Sequence, residues 1–211
     1  MFRRLPGSSP SPRLAVAFYS PVAMALNVAA FLNDPRPMFI APVLALTGLG
    51  AWSLFEYAIH RFVLHAPRAL FGRVLSVTAM HAEHHCNPLS LQPVHNPIRS
   101  SLPVAATYAL AAWAMSGSWL DAAYLFGGFT AGYLYYEWLH AEVHHGAPRF
   151  QPFRKARKYH LQHHYADQTA RFGVTSPLFD LLFGTFGSSK PRQSASSWVS
   201  NGGIKHAPQD H

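Results

Sequence analysis

Ten histidines fall into four tight clusters: His60 and His65 in HRFVLH, His81, His84 and His85 in HAEHH, His140 and His144 in HAEVH, and His160, His163 and His164 in HLQHH. Neutral imidazole is the commonest nitrogen donor to iron, zinc and copper. Residues at i, i+3 and i+4 share a helix face, so three of the clusters can each aim their rings at one point. HRFVLH differs, because an i, i+5 interval suits no face of a regular α-helix and Pro67 follows closely. The expectation is His60 at the end of a helix and His65 just beyond a break, approaching from different angles. One structural zinc needs only four donors. Ten imidazoles fit two metals, as five and five or six and four, with room left for dioxygen. That is the constellation of a two-metal oxidation site.

Other machinery is missing from the sequence. HAEHH is not the HExxH of a metalloprotease, and no GxSxG elbow, GxGxxG or P-loop occurs. Carboxylates are sparse, so the site is unlike a carboxylate-bridged di-iron bundle. Of Glu56, Glu83, Glu137, Glu142, Asp167 and Asp180, which lie near the clusters, Glu83, Glu142 and Asp167 are placed to accept the free ring N–H of a ligating histidine. His145 adjoins His144 but points about 100° away on a helix and is left out of the ligand set. His95, His206 and His211 stand alone and are also left out. Cys86, the one cysteine, excludes an internal disulfide and a four-cysteine iron–sulfur cluster, and reads as a small packed residue.

The elements that position these clusters follow from hydropathy. The chain has 211 residues, 49% of them hydrophobic and 12% charged, a balance that leans towards a membrane protein. Four apolar stretches, roughly 14–32, 38–59, 102–120 and 122–139, each approach the ~20 residues of a bilayer-spanning helix. Pro21 and Asn27 interrupt the first, which could insert only in part. Short turn-forming connections at 33–37 and 116–118 pair the stretches as two antiparallel hairpins. All ten clustered histidines then share one face. Of seventeen Lys and Arg residues only Arg36 falls on the other face, which assigns the histidine face to the cytoplasm. The fold expected is all-α and integral to the membrane, about four transmembrane helices in two hairpins under a cytoplasmic histidine-rich di-metal cap. It forms a single domain over 1–187, with a disordered polar tail over 188–211. A net charge of +8 is spread around apolar segments rather than over a compact polar domain, so nucleic acid is excluded as a partner.

Five segments, WSLFEYAIHRFVLH, MHAEHHCNP, GYLYYEWLHAEVHHG, KYHLQHHYAD and FGVTSPLFDLLFGTF, resemble in order and interval the fatty acid hydroxylase superfamily, and most of all its fatty acid 2-hydroxylase branch. The likeness covers about residues 52–186. It implies that His60, His65, His81, His84, His85, His140, His144, His160, His163 and His164 hold two metals, functionally iron, with zinc able to replace them in purified protein. It also implies a monooxygenase that uses O2 and two electrons to hydroxylate a lipid acyl chain beside its carbonyl, the acyl group free or in a sphingolipid-type amide. One departure bears on the substrate: after HHCNP the chain reads LSLQPVHNPIRSSLP, without the aspartate and arginine usual in that branch.

Only a short Pro/Ser/Arg segment precedes the first apolar stretch, so a separate electron donor is expected: cytochrome b5-like protein, ferredoxin or reductase. A basic run, Arg149, Arg154, Lys155, Arg157 and Lys158, suits anionic headgroups or an acidic carrier. Tyr133, Tyr135, Tyr136 and Trp138 could line a substrate entrance or form an interfacial belt. Carotenoid or sterol hydroxylation, lipid desaturation and non-enzymatic metal transport remain open at this point.

Overall fold

Apolar runs bounded by turn formers become long helices, and the histidine motifs between them become short polar ones. In the computed structural model, which describes residues 12–66, 76–90 and 97–187, the long helices are α1 (Pro12–Asn33), α2 (Ile40–Ile59), α4 (Ile98–Ser116) and α5 (Trp119–His145). The shorter ones are α3 (Ser76–Cys86), α6 (Gln151–Tyr165) and α7 (Leu178–Leu182). Among the described residues there is no strand. Two stretches, Arg13–Asn33 and Ile40–Leu64, are long and apolar enough to cross a membrane. The expected tail over 188–211 and the isolated His95, His206 and His211 lie outside the described residues.

Helix α1 runs through Pro21 without ending. Asn27 is satisfied inside the bundle, its side-chain amide donating to the carbonyls of Ala23 (2.8 Å) and, on α5, Ala123 (3.0 Å). At the α4–α5 turn Gly117 takes a left-handed φ of 65° and Ser118 caps α5 by accepting from the Asp121 N–H, as turn and cap chemistry require. On the far side of the bundle from the histidines, Arg36 is tied to both Asp34 (2.8 Å) and Asp121 (2.6 Å).

Helix α5 is the hub. The sequence predicts α1 paired with α2; instead both pack chiefly on α5, which also carries α4. Small residues make this possible. A Cβ on Gly128 would lie 1.8 Å from the Ala45 carbonyl oxygen, and one on Gly48 would lie 2.1 Å from that of Leu125, so α2 and α5 touch backbone to backbone. Gly128 and Gly132 form a GxxxG step of the kind that lets membrane helices approach closely. Above this contact Trp52 packs against Phe129 and Tyr133, which fixes where α2 and α5 deliver His60 and His140.

Candidate metal centre

The i, i+5 spacing of HRFVLH is resolved by a π-helical turn, not by a break. Residues His60–Leu64 continue α2 with wider winding, and the His65 N–H donates to the His60 carbonyl at 3.1 Å. An i→i+5 bond brings residues five apart onto one side. The two rings therefore reach the same group with centroids 5.0 Å apart and planes tilted by 44°, and what is corrected is the expected break before His65, which the π turn replaces.

All ten clustered histidines converge, and they divide into two groups of five. His60, His65, His81, His85 and His163 form one; His84, His140, His144, His160 and His164 form the other, with the donor atoms of each within 4.8 Å of one another. Each HxxHH motif is split. Helix α3 gives His81 and His85 to the first group and His84 to the second, while α6 gives His163 to the first and His160 and His164 to the second. A helix face is about 100° per residue, so adjacent histidines at i+3 and i+4 diverge enough to serve two centres. His145 belongs to neither group. Cys86 is exposed rather than packed, and it too stands outside both.

The donor set fits a metal ion. His81 Nε2 lies 3.1 Å from His60 Nε2 and 3.0 Å from the Nε2 atoms of His65 and His85. One imidazole nitrogen carries either one proton or one lone pair and cannot hydrogen-bond to three others. In the second group the His140–His84, His160–His144 and His164–His160 Nε2 pairs lie at 3.1, 2.9 and 3.0 Å. Metal–nitrogen bonds of about 2.1 Å at right angles would put ligand atoms about 3 Å apart, so the spacing matches five nitrogens around one cation. Burial also keeps the rings neutral. It pushes His84 down to about 4 and His65 to about 3, with neighbouring imidazole charge adding to the effect, and it drives His81, His160 and His163 lower as well. Neutral imidazole is the ligating form.

Two ring N–H groups find their acceptors in backbone, not in the carboxylates the sequence pointed to. His60 Nδ1 donates to the Phe172 carbonyl at 2.5 Å and His163 Nδ1 to the Ala170 carbonyl at 2.6 Å. Because a carbonyl only accepts, these bonds place the proton on Nδ1 and leave the Nε2 lone pair facing the centre. Glu83 instead accepts from Asn87, and Asp167 caps Thr169. Between the two carbonyls Arg171 adopts φ 62°, a left-handed turn that is costly for a residue with a Cβ. The turn aims both flanking carbonyls at histidines of the same group.

Two buried carboxylates from the set near the clusters, Glu56 and Asp180, hold this segment. Asp180 accepts from the N–H groups of Phe172 (2.8 Å) and Gly173 (2.7 Å) and from the Thr185 hydroxyl (2.8 Å). Glu56 on α2 accepts from the N–H groups of Val174 (2.5 Å) and Thr175 (2.9 Å) and from the Thr175 hydroxyl. The FGVTS and FGT motifs could have signalled this, since small and hydroxyl residues beside an aspartate are the composition of a hydrogen-bonded turn.

An apolar cavity abuts the first group. His60 lines it together with Trp52, Phe55, Val104, Phe129 and Tyr133. Of the four aromatics expected near an entrance, Tyr133 and Tyr136 lie on its wall, whereas Tyr135 and Trp138 are each 41% exposed. Leu178, Leu181 and Leu182 of α7 are exposed and take no part in the cavity.

The chain is similar to known proteins over the stretch that carries these histidines. The sequence profile described as fatty acid hydroxylase matches residues 45–185. A dihydroceramide fatty acyl 2-hydroxylase of Arabidopsis thaliana is 33% identical over 156 residues, 73% of this chain and 65% of that protein. The human fatty acid 2-hydroxylase is 32% identical over 74% of this chain and 42% of its own length. A ceramide very long chain fatty acid hydroxylase of Saccharomyces cerevisiae is 33% identical over 81% of this chain and 44% of its own. The chain thus spans less than two thirds of these relatives. A solved structure, full-length Scs7p with only its hydroxylase domain visible, superposes with a TM-score of 0.77 at 27% identity, covering 88% of this chain and 70% of that one. The matched profile spans every clustered histidine together with Glu56 and Asp180, and on that extent the chain belongs to the fatty acid hydroxylase family.

Proposed function

We propose that this chain is a membrane-embedded, two-iron, O2-dependent hydroxylase of lipid acyl chains, acting beside the carbonyl of a free or sphingolipid-type acyl group. The observation that carries the reading is the contact between an apolar cavity and a five-imidazole group through His60. The relatives' names, a dihydroceramide fatty acyl 2-hydroxylase and a fatty acid 2-hydroxylase, agree with it.

Two bound irons would supply O2 activation, converting a C–H bond to an alcohol with two electrons delivered from outside. The protein's part is positional. The histidine groups would each hold one ion, His60, His65, His81, His85 and His163 the first, and His84, His140, His144, His160 and His164 the second. Trp52, Phe55, Val104 and Phe129 offer the acyl chain an apolar wall and keep water from the reacting carbon. On the same wall the hydroxyls of Tyr19 and Ser101 pair at 2.8 Å across α1 and α4, a polar spot against which the acyl head can be oriented.

In this reading α1, α2, α4 and α5 span the bilayer and residues 1–187 act as one domain. The histidine face is cytoplasmic because Lys and Arg concentrate there. The groove formed by Arg154, Arg157 and Lys158 on α6 meets anionic headgroups, and a separate carrier brings the electrons. The test is incubation of the iron-loaded protein in lipid bilayers with reductant, an acyl substrate and 18O2. Label in a new hydroxyl beside the carbonyl supports the proposal; label absent from the lipid with both irons bound contradicts it.

A further inference from the structure

The two histidine groups are alike in number and spacing but not in how their rings are held. In the first, two of five imidazoles donate Nδ1–H to fixed backbone carbonyls, Phe172 for His60 and Ala170 for His163. In the second, the Nδ1 atoms of all five, His84, His140, His144, His160 and His164, are buried without a protein hydrogen-bond partner among the described residues, whereas in the first only His85 Nδ1 is in that state. An acceptor on the far nitrogen fixes the tautomer, orients the ring and raises its basicity.

Both carbonyls belong to residues 170–172, a buried segment held by the packing of Phe172 against Tyr57 and by a set of hydrogen bonds. Asp180, fully buried, takes the N–H groups of Phe172 and Gly173. The Arg171 N–H donates to the Thr185 carbonyl at 2.8 Å, and Glu56 anchors the next two residues to α2. A relay of donors completes the clamp: Arg61 donates to the Tyr57 phenol at 2.6 Å, that phenol donates to Thr185 at 2.9 Å, and Thr185 donates to Asp180. The left-handed turn at Arg171 persists because these bonds over-determine it.

We propose that Asp180 and Glu56 are positioning residues for the first histidine group, and that through the carbonyls of Phe172 and Ala170 they make it the tighter of two unequal metal sites. The inference rests on the metal-binding reading above. Neither carboxylate touches the ion. Each acts through the backbone, Asp180 one hydrogen bond away from the residue that orients His60.

The test is a cobalt(II) titration of the full chain in lipid nanodiscs after chelation, read by visible absorption and by bound metal per chain. Wild type takes two ions in two separate steps; His60→Ala removes the tighter step and His144→Ala the weaker. Asp180→Asn weakens the tighter step by about 10- to 100-fold and leaves the weaker one in place. Glu56→Gln, which acts on residues 174 and 175 beyond the two carbonyls, and Thr185→Val, which leaves both Asp180–backbone bonds in place, shift the same step by less, and they decide the matter if Asp180→Asn fails to fold. Two ions binding in a single step, or these variants shifting both steps equally, would overturn the proposal while leaving metal binding intact. A wild-type chain that binds no cobalt would overturn both.

Discussion

The rings of His85 and His164 stack face to face, centroids 4.1 Å apart and planes 16° from parallel. One belongs to each histidine group, so the two centres share a wall made of their own donors. Since interiors transmit displacement through packed contacts, loss of one ring releases the other. His164→Ala is predicted to reduce bound metal towards zero, whereas His144→Ala, which touches only rings of its own group and His145, keeps about one ion per chain. Metal analysis by mass spectrometry of the two purified variants checks this.

The backbone contact between α2 and α5 predicts a sharp size limit. Gly128→Ala and Gly48→Ala each drive a methyl into a carbonyl on the facing helix and should each cost about 1–3 kcal/mol, read as a lowered unfolding temperature. Gly50→Ala, where nothing lies within 4 Å, should be neutral or stabilise α2 by about 0.5–1 kcal/mol. Equal effects at positions 48 and 50 would remove the close-contact account.

Acid should weaken the metal-free fold in a defined window. The folded values of His84, about 4, and His65, about 3, lie below the ordinary value near 6.5. The unfolded chain therefore binds more protons than the folded chain between roughly pH 6.5 and pH 3, and stability falls as pH falls through that range. Thermal unfolding of chelated protein should shift downward with each step below pH 6.5 and be flat above pH 7.5. Bound metal, which competes with the same protons, should be released over the same interval. A fold that gains stability on acidification would contradict the burial of neutral imidazoles.

Filling the cavity should separate binding from metal loading. Ala105 lines it beside Val104, and Ala105→Phe places a ring where the acyl chain is proposed to lie. The expected result is product formation reduced at least tenfold with two metals retained. Unchanged turnover would place the acyl chain elsewhere.

How far the sequence reached can be seen residue by residue. The ten converging histidines were legible because i, i+3 and i+4 spacing survives any tertiary arrangement of the helices. Their interleaving was not, because which group receives His84 or His163 depends on how α3 and α6 rotate against α5. The π-helical turn at His60 is not legible in the sequence, because a five-residue interval suits no face of a regularly wound α-helix. The acceptors for His60 and His163 were invisible for a simpler reason: every residue has a carbonyl, so Phe172 and Ala170 carry no compositional signal. Asp180 and Glu56, noted only as nearby carboxylates, are informative once the backbone they hold is seen.

The most direct measurement is lipid mass spectrometry of membranes from cells expressing the intact chain and a His163→Ala/His164→Ala variant. The account predicts acyl chains heavier by about 16 Da, one oxygen atom, with the intact chain alone, and fragmentation that places the hydroxyl beside the carbonyl. Acyl chains lighter by two hydrogens, or no change with iron bound and an electron donor supplied, would contradict it.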